Sequence, residues 1–219
     1  TLAQMAAEVS KGPETASQAL RVLPSPPLSQ GRKSGIIRRL GHAFLNLLTS
    51  DNLDPFRRDL QEINKLESMA RKLKTPEQFQ AKTAEFKARL AAGESLADIR
   101  NEAYAVAREA CFQSVGMRPY DCQILGALAM DDGHIAEMKT GEGKTLTAVL
   151  PMYLNALAGK GAHLVTVNDT LAARDAQDMA PAYNLLGLTV GTVLEDMKKD
   201  EKRAGYAADV TYTTDRALG

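Results

Sequence analysis

Residues Met138-Lys139-Thr140-Gly141-Glu142-Gly143-Lys144-Thr145 lie between a short apolar run and a stretch with helical periodicity. No other part of the chain restricts the fold as much. A backbone that turns its N–H groups inward around phosphates must curl where a Cβ would clash, and Gly141 and Gly143 permit that curl. The helix expected from Lys144 onward adds the positive end of its dipole. Lys144 can reach the outer phosphates of a nucleotide as a point charge, and the Thr145 hydroxyl can join the coordination shell of Mg²⁺. Such a loop works at a strand-to-helix junction, so it implies a parallel sheet with the loop at a strand end. Met138 stands where the strict pattern has glycine. That departure excludes the small-GTPase and kinase versions and leaves the helicase-like one.

The surrounding pattern fits that sheet. Short apolar strands are expected at 135–138, 163–167, 188–194 and 210–213, separated by helices near 144–158, 170–185 and 198–206. The alternation defines an α/β fold, a parallel sheet with helical crossovers, for residues 117–219. Upstream, residues 36–116 read as helical. Phe56, Leu60, Ile63, Met69 and Leu73 share one face. Thr75-Pro76-Glu77-Gln78 is a capping box with proline at the first helical position, opening a helix through Phe79, Phe86 and Leu90. Gly93 ends it, and Ser95 caps another through Ile99, Ala103, Val106 and Ala110 to Gly116. The alternating charges on the outer faces read as solvated surface.

Ile36, Ile37, Leu40, Phe44, Leu47 and Leu48 form an apolar stripe flanked by Arg32, Lys33, Arg38 and Arg39. A basic amphipathic helix of this kind can lie on an anionic membrane or dock on a partner, or simply pack on the body of the protein. Residues 1–35 carry Pro13, Pro24, Pro26 and Pro27 and read as a flexible leader, with a short helix at 20–23 stopped by the prolines.

Equal numbers of basic and acidic residues, 27 of each, argue against a surface devoted to nucleic acid. Cys111 and Cys122 are the only cysteines, which excludes a disulfide framework or a zinc finger. The longest apolar run is too short and too interrupted to span a bilayer. Thr1 and Gly219 read as the ends of a trimmed or processed chain, or of part of something longer. A sheet ending after its fourth strand exposes an unpaired edge that invites self-association.

The phosphate-loop string, from Ile135 through Leu146, resembles the SecA family of ATP-driven protein-export motors. So do Leu150-Pro151, Tyr153-Leu154-Asn155-Ala156-Leu157 and Val165-Thr166-Val167-Asn168-Asp169. Leu171-Ala172, Arg174-Asp175, Leu186-Gly187-Leu188-Thr189-Val190-Gly191 and Tyr206-Ala207-Ala208-Asp209-Val210-Thr211-Tyr212 continue the likeness. Upstream, Lys82-Thr83-Ala84-Glu85-Phe86 and Leu90-Ala91-Ala92-Gly93-Glu94 match the family's helical part. The resemblance implies the first RecA-like nucleotide-binding domain of a two-domain motor, incomplete here. It maps Gln123 to the family's adenine-reading glutamine and Gly141, Glu142, Gly143, Lys144 and Thr145 to its phosphate loop, with Lys144 catalytic and Thr145 on the metal. Thr140 and Arg174 become further nucleotide contacts, with structural roles equally open.

The same likeness implies ATP and Mg²⁺ as cofactors, and the SecYEG channel, unfolded preproteins and anionic lipids as partners. It also implies a homodimer as one form of self-association, and a cytoplasmic protein peripheral on the inner membrane. Nucleic acid is not expected. The chain departs from the family at Tyr120-Asp121-Cys122, at Thr170, and from Thr211 to Gly219. Hydrolysis also needs a metal-holding carboxylate, a water-positioning group and an arginine from a facing domain. Asp169 and Asp209, the acids beside expected strands, read as turn or cap residues, so the chain alone is expected to turn over ATP negligibly. A superfamily 2 helicase-like motor and a non-catalytic nucleotide-binding module remain the alternatives.

Overall fold

The computed structural model describes residues 21–23 and 53–218. The basic stripe at 36–48 and nearly all of the 1–35 leader lie outside the described residues. Within that leader, Arg21–Leu23 is a strand, β1, and not part of the short helix expected at 20–23.

Three helices open the continuous part of the chain: α1 (Asp54–Ala70), α2 (Pro76–Ala91) and α3 (Leu96–Val115). Their limits follow from local chemistry. At α2 the Gln78 side chain reaches back to accept from Lys74 N at 2.6 Å and Thr75 N at 3.2 Å. Ser95 and Asp98 exchange the equivalent pair of bonds at the start of α3. Each box satisfies amides that a helix leaves without partners. Gly116 closes α3 with φ of +73°, a conformation that costs glycine nothing.

There follow α4 (Asp121–Asp131), β2 (Ile135–Glu137), α5 (Lys144–Ala156), β3 (Ala162–Thr166) and α6 (Asp169–Leu185). The chain then forms β4 (Val190–Val193), α7 (Lys199–Tyr206), β5 (Val210–Thr214) and the single turn α8 (Asp215–Leu218). Three strands make a parallel sheet in the order β3-β5-β4, with Val210 opposite both Ala162 and Val190. Central β5 is buried along its whole length, and its own Tyr212 meets Tyr183 of α6, hydroxyl to hydroxyl at 3.3 Å. The protein is thus α/β, as expected. On the other flank Gly191 of β4 lies against Gly205 of α7. A Cβ at Gly191 would stand 2.2 Å from the Gly205 carbonyl oxygen, so this crossover helix packs on the sheet glycine to glycine.

Two expectations need correction. The strand expected at 135–138 forms, as β2, but outside the parallel sheet: it pairs antiparallel with β1, Val22 opposite Ala136. Three residues with Ile135 half exposed carry too little apolar pattern to select a place in the sheet. The charges of the helical region are also not all solvated. Arg108 and Glu109 of α3 are 6% and 3% exposed, in a cluster with Glu67 and Arg118.

One continuous apolar cluster runs from Leu53 to Tyr212, so α1–α3 share their core with the α/β part. Phe79, Thr83 and Phe86 turn the inner face of α2 onto it, and Thr83 shares a buried 2.7 Å hydrogen bond with Tyr153 of α5. Lys82 and Arg89 lie over the Phe86 ring, 5.2 and 5.7 Å from its centre, and both bond Glu102 of α3. Partial burial raises the Glu102 carboxyl, but the hydrogen bonds from Lys82 and Arg89 outweigh it and hold the group below its ordinary value.

Candidate phosphate-binding loop

β2 delivers the chain to Met138, whose side chain is buried, and the loop then curls over Lys139–Gly143 into α5. Gly141 (φ +87°) and Gly143 (φ +76°) are left-handed, and no other residue type has positive φ among the described residues. Gly143 is the residue before the first turn of α5. The amides of Gly143, Lys144 and Thr145 make no hydrogen bond among the described residues, so they remain available to an anion at the positive end of the helix.

The loop is held by its own polar groups. Lys139 N donates to Glu142 Oε2 at 2.8 Å, and Glu142 N donates to the Lys139 carbonyl at 3.3 Å. The Lys144 ammonium donates to the same carbonyl at 2.7 Å. Glu142 is therefore a loop brace through its side chain. Thr147 anchors the next turn through a 3.0 Å bond from its hydroxyl to the Gly143 carbonyl.

Gln123 stands beside this loop. Its Nε2 donates to the Glu142 carbonyl at 2.8 Å, and its Oε1 accepts from Tyr120 N at 2.8 Å. It is 5% exposed, and two of the four hydrogen bonds an amide can make are used. The approach is tight: a Cβ on Gly143 would lie 2.3 Å from Gln123 Nε2. The structure thus brings Gln123 together with Glu142, Gly143 and Lys144, which begin 19 positions further along the chain. Thr140 and Gly141 form the exposed crest of the loop.

Thr145 points the other way. Its hydroxyl donates to Asp175 Oδ2 at 3.3 Å, and the other oxygen of Asp175 accepts from Arg174 at 2.6 Å. A hydroxyl that spends its proton on a carboxylate keeps its oxygen lone pairs free, which a cation ligand requires. The sequence places Asp175 in a family-like string but assigns it no role at this site. The signal was there: with Ala172, Ala176 and Met179 it occupies the buried stripe of α6, where an unpaired acid is costly. Among the described residues no group of three or more His, Cys, Asp or Glu side chains forms a metal cage. The donor set suits a Mg²⁺ that arrives with phosphates and waters and takes one protein hydroxyl.

Asp169 and Asp209 hold backbone and hydroxyl groups, as expected. Asp169 accepts from Thr214 Oγ1 and Glu195 N, at 3.2 and 3.0 Å. Asp209 accepts from Thr189 N and Oγ1, at 2.8 and 2.7 Å. Among the described residues no helix is long and apolar enough to cross a membrane.

The family model of the SecA DEAD-like domain matches residues 42–219. A protein translocase subunit SecA from Syntrophus aciditrophicus is 56% identical over 159 residues, covering 73% of this chain and 19% of its own length. The protein of the same name from Neisseria meningitidis serogroup A is 53% identical over 167 residues, covering 76% of this chain and 18% of its own. The chain therefore spans under a fifth of the length of these curated relatives. With a phosphate-type loop at the head of α5, a parallel sheet behind it and these matches along most of its length, the chain belongs to the SecA DEAD-like domain family.

Proposed function

We propose that the chain is the ATP-binding part of a protein-export motor of the SecA type. The observation that carries this reading is the latch between Gln123 and the Glu142 carbonyl. It joins the amide assigned to adenine to the loop assigned to phosphates in one rigid unit. Adenine presents a donor and an acceptor on its N6/N7 edge, and the unused capacity of the Gln123 amide matches it. Lys144 moves from the Lys139 carbonyl to the β- and γ-phosphates, while the free amides of Gly143, Lys144 and Thr145 donate to the polyanion. Thr145 supplies an oxygen to Mg²⁺, which when bound neutralises charge between the outer phosphates. Asp175 holds the Thr145 hydroxyl in that orientation, and Arg174 offsets the negative charge of Asp175.

In the parent motor this unit drives unfolded preproteins through the SecYEG channel, from the cytoplasmic face of the inner membrane. The basic stripe at 36–48 contacts anionic lipid there, and homodimers form by self-association. Vesicle flotation tests the stripe. Ile37→Asp and Phe44→Asp are expected to release the chain from anionic vesicles, and undiminished flotation of both removes lipid from the reading.

The chain alone is expected to hydrolyse ATP negligibly, because turnover also needs a metal-holding carboxylate, a water-positioning group and a facing arginine, while Asp169 and Asp209 hold local backbone and hydroxyl groups and Asp175 braces Thr145. Lys144→Ala is expected to weaken ADP binding about fiftyfold, the loss of one or two charge-assisted bonds, while leaving turnover at background. Calorimetry and a phosphate-release assay read the two effects. ADP affinity equal in wild type and variant would remove the loop from the proposal; Lys144-dependent turnover would show that the chain carries its own catalytic acid.

A further inference from the structure

We infer that Arg108 is a positioning residue for nucleobase selection, clamping the loop that presents Gln123. The inference rests on the proposed adenine-facing role of Gln123 and extends it to a residue on a different helix.

Arg108 projects from α3 and is 6% exposed. Its Nε donates to the Pro119 carbonyl at 2.8 Å, and one terminal nitrogen donates to Asp121 Oδ1 at 3.1 Å. Pro119 and Asp121 flank Tyr120, whose N–H engages Gln123 Oε1. The guanidinium therefore grips the chain on both sides of the residue that orients the Gln123 amide. The other terminal nitrogen faces α1, bonding Asn64 Oδ1 and Glu67 Oε1, each at 2.6 Å. Asn64 also donates to Asp121 Oδ2 at 3.4 Å. A planar fork with this many partners fixes orientation as well as distance, which a lysine cannot do.

The geometry has a chemical consequence. Gln123 distinguishes adenine from guanine only if its amide stays in one orientation, because the two purines exchange donor and acceptor at position 6. Its Oε1 is set by Tyr120 N and its Nε2 by the Glu142 carbonyl. The second restraint belongs to the phosphate loop. The first belongs to the 118–121 segment, where Arg118 is tied to Glu67 and Glu109 ahead of Tyr120 and only the Arg108 fork holds both Pro119 and Asp121, on either side of it. Loosening that tie leaves the phosphate seat in place and frees the amide to turn.

The test is titration of the full 219-residue chain with fluorescent ADP and GDP, giving the ratio of the two affinities. Asp121→Ala removes one jaw at a side chain that is 57% exposed, so the fold survives. Arg108→Lys removes the fork and keeps the charge, with circular dichroism as the check on folding. Asp121→Ala is expected to lower the ADP preference about tenfold, the worth of one charge-assisted hydrogen bond, and folded Arg108→Lys at least as much. A wild type that prefers ADP, with variants whose affinities for both nucleotides fall together, overturns the clamp and leaves the nucleotide reading standing. A wild type that binds neither nucleotide, or both equally, overturns both.

Discussion

Replacing Gly143 with alanine is expected to abolish measurable ADP binding and to cost about 2–3 kcal/mol of stability, strain and a lost buried hydrogen bond together. Gly143 sits at φ +76°, where an L side chain is strained, and the added methyl would lie 2.3 Å from Gln123 Nε2. The Gln123 amide must then leave the Glu142 carbonyl, so one substitution disturbs both the glycine loop and the group proposed to face adenine. Gly141→Ala is the informative control. Its φ is +87°, equally unsuited to alanine, but nothing lies within 4 Å of the added carbon. The two variants should therefore share the strain and differ in binding. Calorimetry with ADP and urea unfolding measure both quantities, and Gly143→Ala that binds ADP like the wild type refutes the coupling.

Phe86→Ala is expected to destabilise the chain by about 4 kcal/mol, as large-to-small changes at sealed aromatic sites do. The ring is fully buried, and α2 has only Phe79, Thr83 and Phe86 on its buried face. Lys82 and Arg89 lie over the ring and bond Glu102, so truncation also removes the floor beneath two cations. Phe86→Leu keeps most of the volume and loses the ring, and is expected to cost about 1–2 kcal/mol. Urea unfolding with both variants separates packing from the cation contribution. A loss below about 1 kcal/mol for alanine, against the range for buried aromatics, would mean that α2 is not held by this contact.

The features legible from sequence were those whose cause is local. The start of α2 was visible because Thr75 and Gln78 are three residues apart and carry the bond themselves. Ser95 and Asp98 work the same way. The phosphate-type loop was visible because glycine spacing and a following helix suffice to define it. What escaped notice depends on partners far along the chain. The pairing of β2 with β1 joins Glu137 to Arg21, and a three-residue strand carries no record of its neighbour. Thr145 and Asp175 lie 30 residues apart. Arg108 and Glu109 read as solvated charges because helical periodicity assigns a face to each residue but not the presence of α1 and the 117–121 segment over that face.

The Lys144 ammonium rests on the Lys139 carbonyl, 2.7 Å away, within its own loop. Under the proposed function the seat carries a built-in placeholder, a cation parked on a neutral dipole that an incoming polyphosphate displaces. The exchange replaces an ion–dipole contact with an ion–ion one, so the gain grows with the negative charge of the incoming tail. Under that proposal the parked lysine becomes a gauge of tail length, because an added phosphate offers it a partner that a shorter cargo lacks.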